Sequence, residues 1–148
     1  MPAFITFGRI LFSVIFIFSG ASKLLDLTAT AQMTEKIVLP AALATYTSQL
    51  EGLTGMSMPM MLAIAAGALE LICGLMIALN FGARFFAILL ILFVVAATFY
   101  YHDFWNQAGP EARNNVVHAL KNLSLIGALF MIVGYGRVSR TVEPAYDV

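Results

Sequence analysis

An all-α membrane protein, four spanning helices in an antiparallel bundle, is the fold this sequence predicts, and three observations carry the prediction. Of its 148 residues, 61% are hydrophobic and 11% charged, against about 45–50% and about 25% in soluble domains. Apolar residues gather in four stretches, 4–22, 58–80, 84–101 and 116–135, each near the roughly 20 residues that cross a hydrocarbon core of about 30 Å. Nowhere do apolar and polar residues alternate as barrel strands require, so backbone groups in lipid must be satisfied within helices. Eight basic and eight acidic residues, with zero net charge, cannot build a soluble surface or a basic field for phosphates. A soluble enzyme and a nucleic-acid binder are thereby excluded. The single cysteine, Cys73, excludes an internal disulfide, a CxxC motif and a thiolate metal cage. Residues 1–148 read as a single membrane domain.

The first span ends in Ser19-Gly20-Ala21-Ser22, small residues that would also suit a signal-peptide cleavage site. It lacks a basic leader and carries Arg9 inside the apolar run, so it reads as a retained helix. Arg9, Ser13, Phe16, Gly20 and Lys23 recur at steps of four and three, which puts them on one face. In the loop that follows, roughly residues 23–57, Thr28 is placed to cap a short helix with Met33 and Ile37 on one side. Pro40 is placed to open a second, with Leu43, Tyr46, Leu50 and Leu53 at helical spacing. These are the expected short interfacial helices on the outer membrane face. The competing reading is a hydrated loop with some helix, since both pieces are near the marginal helix length.

Glu70 sits near the middle of the second span, where an ionised acidic group costs roughly 2.5–3.5 kcal/mol. Ala63, Gly67, Gly74 and Ala78 share its stripe, and small residues at that spacing let a neighbouring helix come close. Glu70 therefore faces the bundle interior, either protonated or paired with a cation. The third span aligns Arg84 with Thr98 and His102. Tyr100, Tyr101 and Trp105 suit an interfacial belt, and Gly109-Pro110 marks a turn in the loop over 102–115. The fourth span presents His118, Lys121, Asn122 and Leu125 on one stripe.

Depth sets which of these groups can meet. At 1.5 Å per residue, Arg9 and Lys121 each lie about 7–8 Å inside opposite faces, so either cation can extend towards Glu70. Arg9 is the preferred partner, because a guanidinium holds a carboxylate bidentately and never deprotonates. Arg9 and Glu70 then form a buried polar core. The competing reading is a pair that only fixes helix register. A second cluster, Lys23, His102, His118, Lys121 and Asn122, is expected at the outer end, where the hairpin of the last two spans brings the histidines to similar depth. A histidine there is poised for proton exchange, and two of them invite comparison with axial haem ligands. Boundary histidines are more often interfacial residues satisfied by water, so no haem site is assigned. No metal site is expected, because neither histidine has a second ligand at i+4. Cys73 reads as a small hydrophobe and the eight methionines as gap fillers. No catalytic residue stands out.

Four spans put both termini on one side. Arg9, Arg84, Arg137 and Arg140 fall there, against Lys23, Lys36, Arg113 and Lys121 on the other. The counts are equal, and the expectation of cytoplasmic termini rests on the compact Arg84 turn and the Arg137/Arg140 pair flanking spans directly. Glu143 and Asp147 lie only in the distal tail.

Several of these features form an ordered set. Gly8-Arg9 enters the first helix, which closes on Phe18-Ser19-Gly20-Ala21-Ser22-Lys23-Leu24 with Asp26 beyond. Glu70-Leu71-Ile72-Cys73-Gly74-Leu75 lies in the second helix, and Gly82-Ala83-Arg84 opens the third. Tyr101-His102-Asp103-Phe104-Trp105 and His118-Ala119-Leu120-Lys121-Asn122-Leu123 complete it. As a set they resemble the DoxX family of small bacterial and archaeal membrane proteins. The resemblance implies a multi-pass protein of the cytoplasmic membrane, associated with quinone-linked redox complexes and their partner subunits, and makes quinone the one cofactor to consider. The chain has no flavin, haem or iron–sulfur motif, so electrons would come from a partner. The alternatives from other classes are a small-solute or proton channel or carrier working as a homo-oligomer, and a purely structural assembly protein in the lipid bilayer.

Overall fold

The computed structural model describes residues 2–135, and the Arg137/Arg140 pair, Glu143 and Asp147 lie outside them. Within that range the chain forms helices α1 (Pro2–Leu25), α2 (Leu27–Thr34), α3 (Ala44–Thr54), α4 (Met58–Ala78), α5 (Ala83–Tyr101) and α6 (Gly109–Tyr135). Short 3-10 turns precede α3 at Ala41–Leu43 and follow α5 at Phe104–Asn106. Helices α1, α4, α5 and α6 are the four long and apolar enough to cross a membrane. Phe4, Phe7, Leu11, Phe18, Leu92, Phe99, Leu123 and Phe130 point outward from them, as side chains facing acyl chains should.

The boundaries differ from the expected ones where polar residues continue a helix beyond its apolar stretch. Helix α1 runs on to Leu25, so Lys23 is helical. Helix α6 begins at Gly109, seven residues before the expected span, with Pro110 and Glu111 in its first turn. Proline lacks the N–H that a first turn cannot use, and an acidic residue there complements the helix dipole. The Gly109-Pro110 pair is thus a helix start as well as a turn.

The first loop also differs. Asp26, not Thr28, caps α2, its carboxylate accepting from the Ala29 N–H at 3.1 Å. Aspartate caps better than threonine, and at that position it lets α2 begin directly after α1. Helix α2 ends at Thr34, before Ile37. It packs on α4 through its buried Thr30, Ala31 and Thr34, and the Thr34 hydroxyl donates to the Pro59 carbonyl at 2.7 Å. Helix α3 keeps the expected amphipathic pattern, with Leu43, Tyr46, Leu50 and Leu53 all exposed. It joins α4 through Glu51, whose carboxylate accepts from the Met58 N–H at 2.7 Å.

The tightest packing lies between α1 and α4. A Cβ added at Gly20 would stand 2.5 Å from the Leu71 nitrogen and 2.6 Å from the Gly67 oxygen, both backbone atoms. Gly67 meets Leu24 and Gly74 meets Ile17 at similarly short range. The helices therefore pair in one register, with residue 20 beside 67–71 and residue 17 beside 74. Phe16, Cys73, Ile77, Ala87, Leu90, Val94 and Leu129 form the buried centre, to which all four spans contribute. Successive spans pack on one another, but α1 and α6 scarcely touch, so the bundle is open along one side.

Gly20→Ala should destabilise the protein by about 1–3 kcal/mol, the usual range for overpacking. Gly127→Ala, where a Cβ meets nothing within 4 Å, should be neutral or slightly stabilising through helix propensity. Thermal melts of the two variants in the same detergent check the contrast.

Candidate functional site

Helical spacing places Ser19 and Lys23 one turn apart on α1, and the glycine contact sets both against the middle of α4. There Lys23 Nζ lies 2.6 Å from Glu70 Oε2. Ser19 Oγ donates to the same oxygen at 3.0 Å and accepts from Lys23 Nζ at 2.6 Å. Glu70 keeps 8% of its side-chain surface exposed and Lys23 30%, so the ammonium remains at the edge of the site while the carboxylate lies inside.

Glu70 thus faces inward, and its partner is Lys23 rather than Arg9. The paired register explains the correction. Residue 9 of α1 falls opposite about residue 82, some 12 residues from Glu70, which is about 18 Å along the axis. No arginine side chain spans that distance. Arg9 instead lines a separate cavity at the other end, with Arg84.

The cluster forms part of the wall of a cavity of about 570 Å³, lined by residues of α1, α2, α4, α5 and α6. Lys23, His102, Lys121 and Asn122 line it together with Glu70, whereas Arg9 and His118, expected in the same two polar groups, do not. Asn122 is buried and donates to Thr98 Oγ1 at 2.9 Å. Ser19, Thr30 and Thr34 join the polar lining, and Leu62, Leu69, Phe93 and Leu125 are among its apolar walls.

His118 is not on the cavity wall. It stacks on His102, ring centroids 4.9 Å apart and planes 10° from parallel, and Lys121 Nζ lies 3.4 Å from its Nδ1. His102 is held from the other side, its Nδ1 donating to Asn115 Oδ1 at 3.0 Å. Asn115 in turn donates to Gln107, and Gln107 donates to Asp103 at 2.7 Å. The two rings thus lie face to face. Among the described residues no group of three or more His, Cys, Asp or Glu is placed to hold a metal ion.

Sequence reasoning missed Ser19, Thr30 and Thr34. Ser19 carried a usable signal, its position four residues before Lys23. The two threonines carried none, because they reach the site only through the docking of α2 on α4.

Bundle and site together define a small multi-pass membrane protein with a lysine–carboxylate pair held between its first two spans. The sequence model of the DoxX family matches residues 4–103, and the chain belongs to the DoxX family. It is similar to the inner membrane protein YphA of Escherichia coli (strain K12), 29% identical over 140 residues that cover 93% of this chain and 88% of that protein. No solved structure matches. The family match contains Lys23, Glu70 and His102, whereas Lys121 and Asn122 lie beyond it.

Lys23→Met should cost about 3 kcal/mol, because it leaves an uncompensated carboxylate buried. The double variant Lys23→Met/Glu70→Met should recover much of that loss. Glu70→Gln should be tolerated better than Glu70→Ala, since the amide oxygen still accepts from Ser19. A double-mutant cycle on melting in detergent measures the coupling.

Proposed function

We propose that this inner-membrane protein is an accessory subunit of a quinone-linked redox system, with the cavity at the loop end as its quinone site. The observation that carries the reading is the Lys23–Glu70–Ser19 cluster set in the wall of a mainly apolar cavity between α1 and α6. Its size falls within the roughly 300–1,000 Å³ of small-molecule sites, and its apolar walls with a few convergent polar groups suit a ring bearing two carbonyl oxygens.

The residues present fit such a ring. Lys23 and Lys121 would donate to a quinone oxygen, and Asn122 would be a further donor. Tyr100 and Tyr101 supply aromatic faces beside them. A bound quinone supplies two-electron, two-proton chemistry, the electrons coming from a partner subunit. On this chain, the Lys23–Glu70 pair holds an exchangeable proton at the cavity wall, and the Asp103–Gln107–Asn115–His102 series links that wall to the loop. On this reading the termini stay on the cytoplasmic side, where the compact turn bearing Arg84 flanks its span directly.

The channel reading has less support. The apolar cluster around Phe16, Leu90 and Leu129 lies between this cavity and the one at the opposite end.

The test is titration of the purified protein with a short-chain quinone, followed by intrinsic fluorescence. Lys121→Met should weaken binding about tenfold, the loss of one charged hydrogen bond, with the melt unchanged. His118→Ala should have a smaller effect, acting through the stacked His102 and the neighbouring Lys121. Absence of saturable binding by the folded parent would refute the site.

A further inference from the structure

The end of the bundle opposite the Lys23–Glu70 cluster holds a second cavity, of about 830 Å³, between α1, α6 and the α4–α5 turn. Arg9 and Arg84 both line it. The Nε atom of each is buried and has no hydrogen-bond partner among the described residues. The one described contact of either guanidinium is a long one, Arg84 Nη2 to the Gly134 carbonyl at 3.5 Å. Among the described residues no carboxylate lines the cavity.

A third source of positive potential converges on the same place. Asn80 and Gly82, both at positive φ, turn the chain sharply so that α5 starts at the cavity wall. Its N-cap, Gly82, offers no side-chain cap, and Ala83, Arg84 and Phe85 supply the N–H groups that a first helical turn leaves free. Helix N-termini of this kind favour anions. Two half-buried guanidiniums beside an uncapped 19-residue helix together make this end of the bundle attractive to an anion.

We propose that Arg9, Arg84 and the N-terminus of α5 form a binding site for a phosphate oxyanion. Several donors arranged around one cavity match a group with several acceptor oxygens, and guanidiniums bind phosphate bidentately. Asn80 and Tyr135 add an amide and a hydroxyl. The remaining wall, with Ile5, Phe12, Phe85 and Ile132, is apolar and accommodates acyl chains attached to the phosphate. Either a phospholipid headgroup or a free phosphate provides the shared chemistry. The site is separate from the proposed quinone cavity and does not depend on it.

The experiment uses the full-length protein in detergent with three probes: phosphatidylglycerol, diacylglycerol with the same acyl chains, and inorganic phosphate. Thermal shift and native mass spectrometry read binding. Phosphatidylglycerol should bind and raise the melting temperature, whereas diacylglycerol should not. A response to phosphatidylglycerol alone assigns a lipid headgroup; a response to inorganic phosphate as well assigns the free anion. R9Q and R84Q should each weaken binding about tenfold, and R9K and R84K should weaken it less. Should R9Q fail to fold, R84Q and the lysine variants decide. The proposal is overturned if neither phosphate probe binds, if diacylglycerol binds equally, or if the arginine variants bind like the parent. It is also overturned if binding appears only in an E143Q/D147N variant, because the tail carboxylates would then be the occupants.

Discussion

The close approach of α1 to α4 is the constraint on which the rest of the molecule depends. Gly20 leaves no room for a Cβ against the backbone of Gly67 and Leu71, and Gly67 and Gly74 are nearly as tightly met by Leu24 and Ile17. The two helices therefore pair in the register these glycines allow. That register carries Lys23 to Glu70 and makes an intramembrane carboxylate tolerable. The ion pair does not hold the helices together by itself, because desolvation offsets much of its attraction. Packing sets the geometry and the charges conform to it.

The wide separation of α1 and α6 has the opposite effect. Where the bundle stays open, the polar stripe of α6 does not seal against α1, and both cavities lie along that gap. Phe12 and Phe16, with ring centroids 5.5 Å apart, thicken α1 between them. One cavity contains the Lys23–Glu70 ion pair together with Lys121, the other two charges of the same sign. The molecule therefore has two chemically different ends joined by a dry apolar middle.

Much of this was legible in the residues. Four apolar stretches predicted the four spans, and the small-residue stripe around Glu70 predicted its inward direction. The partner of Glu70 was not legible, because hydropathy fixes how deep each residue lies only to within a few turns, whereas pairing depends on the register of two particular helices. Arg9 won the expectation on chemistry and lost on position. Likewise the hairpin of the last two spans set His102 and His118 at similar depth, where they stack, but depth alone could not tell that only His102 reaches the cavity wall. The cap at Asp26 and the start of α6 at Gly109 follow rules readable from sequence, but hydropathy ends a span where polar residues begin, and here they continue the helix.

Lys23 and Glu70 are 47 residues apart, and a chain made from its N-terminus delivers the cation well before the anion. During that interval Lys23, close to the end of α1, can hold its ammonium at the water boundary by extending its long stem. Glu70 has no such refuge, since it arrives in mid-span. The second span is therefore accepted by the bilayer as the companion of a first helix already in place, with a counter-charge waiting at the required level. Order of synthesis thus becomes part of how this protein is built: α1 is the template, and α4 is the segment that would be stranded without it.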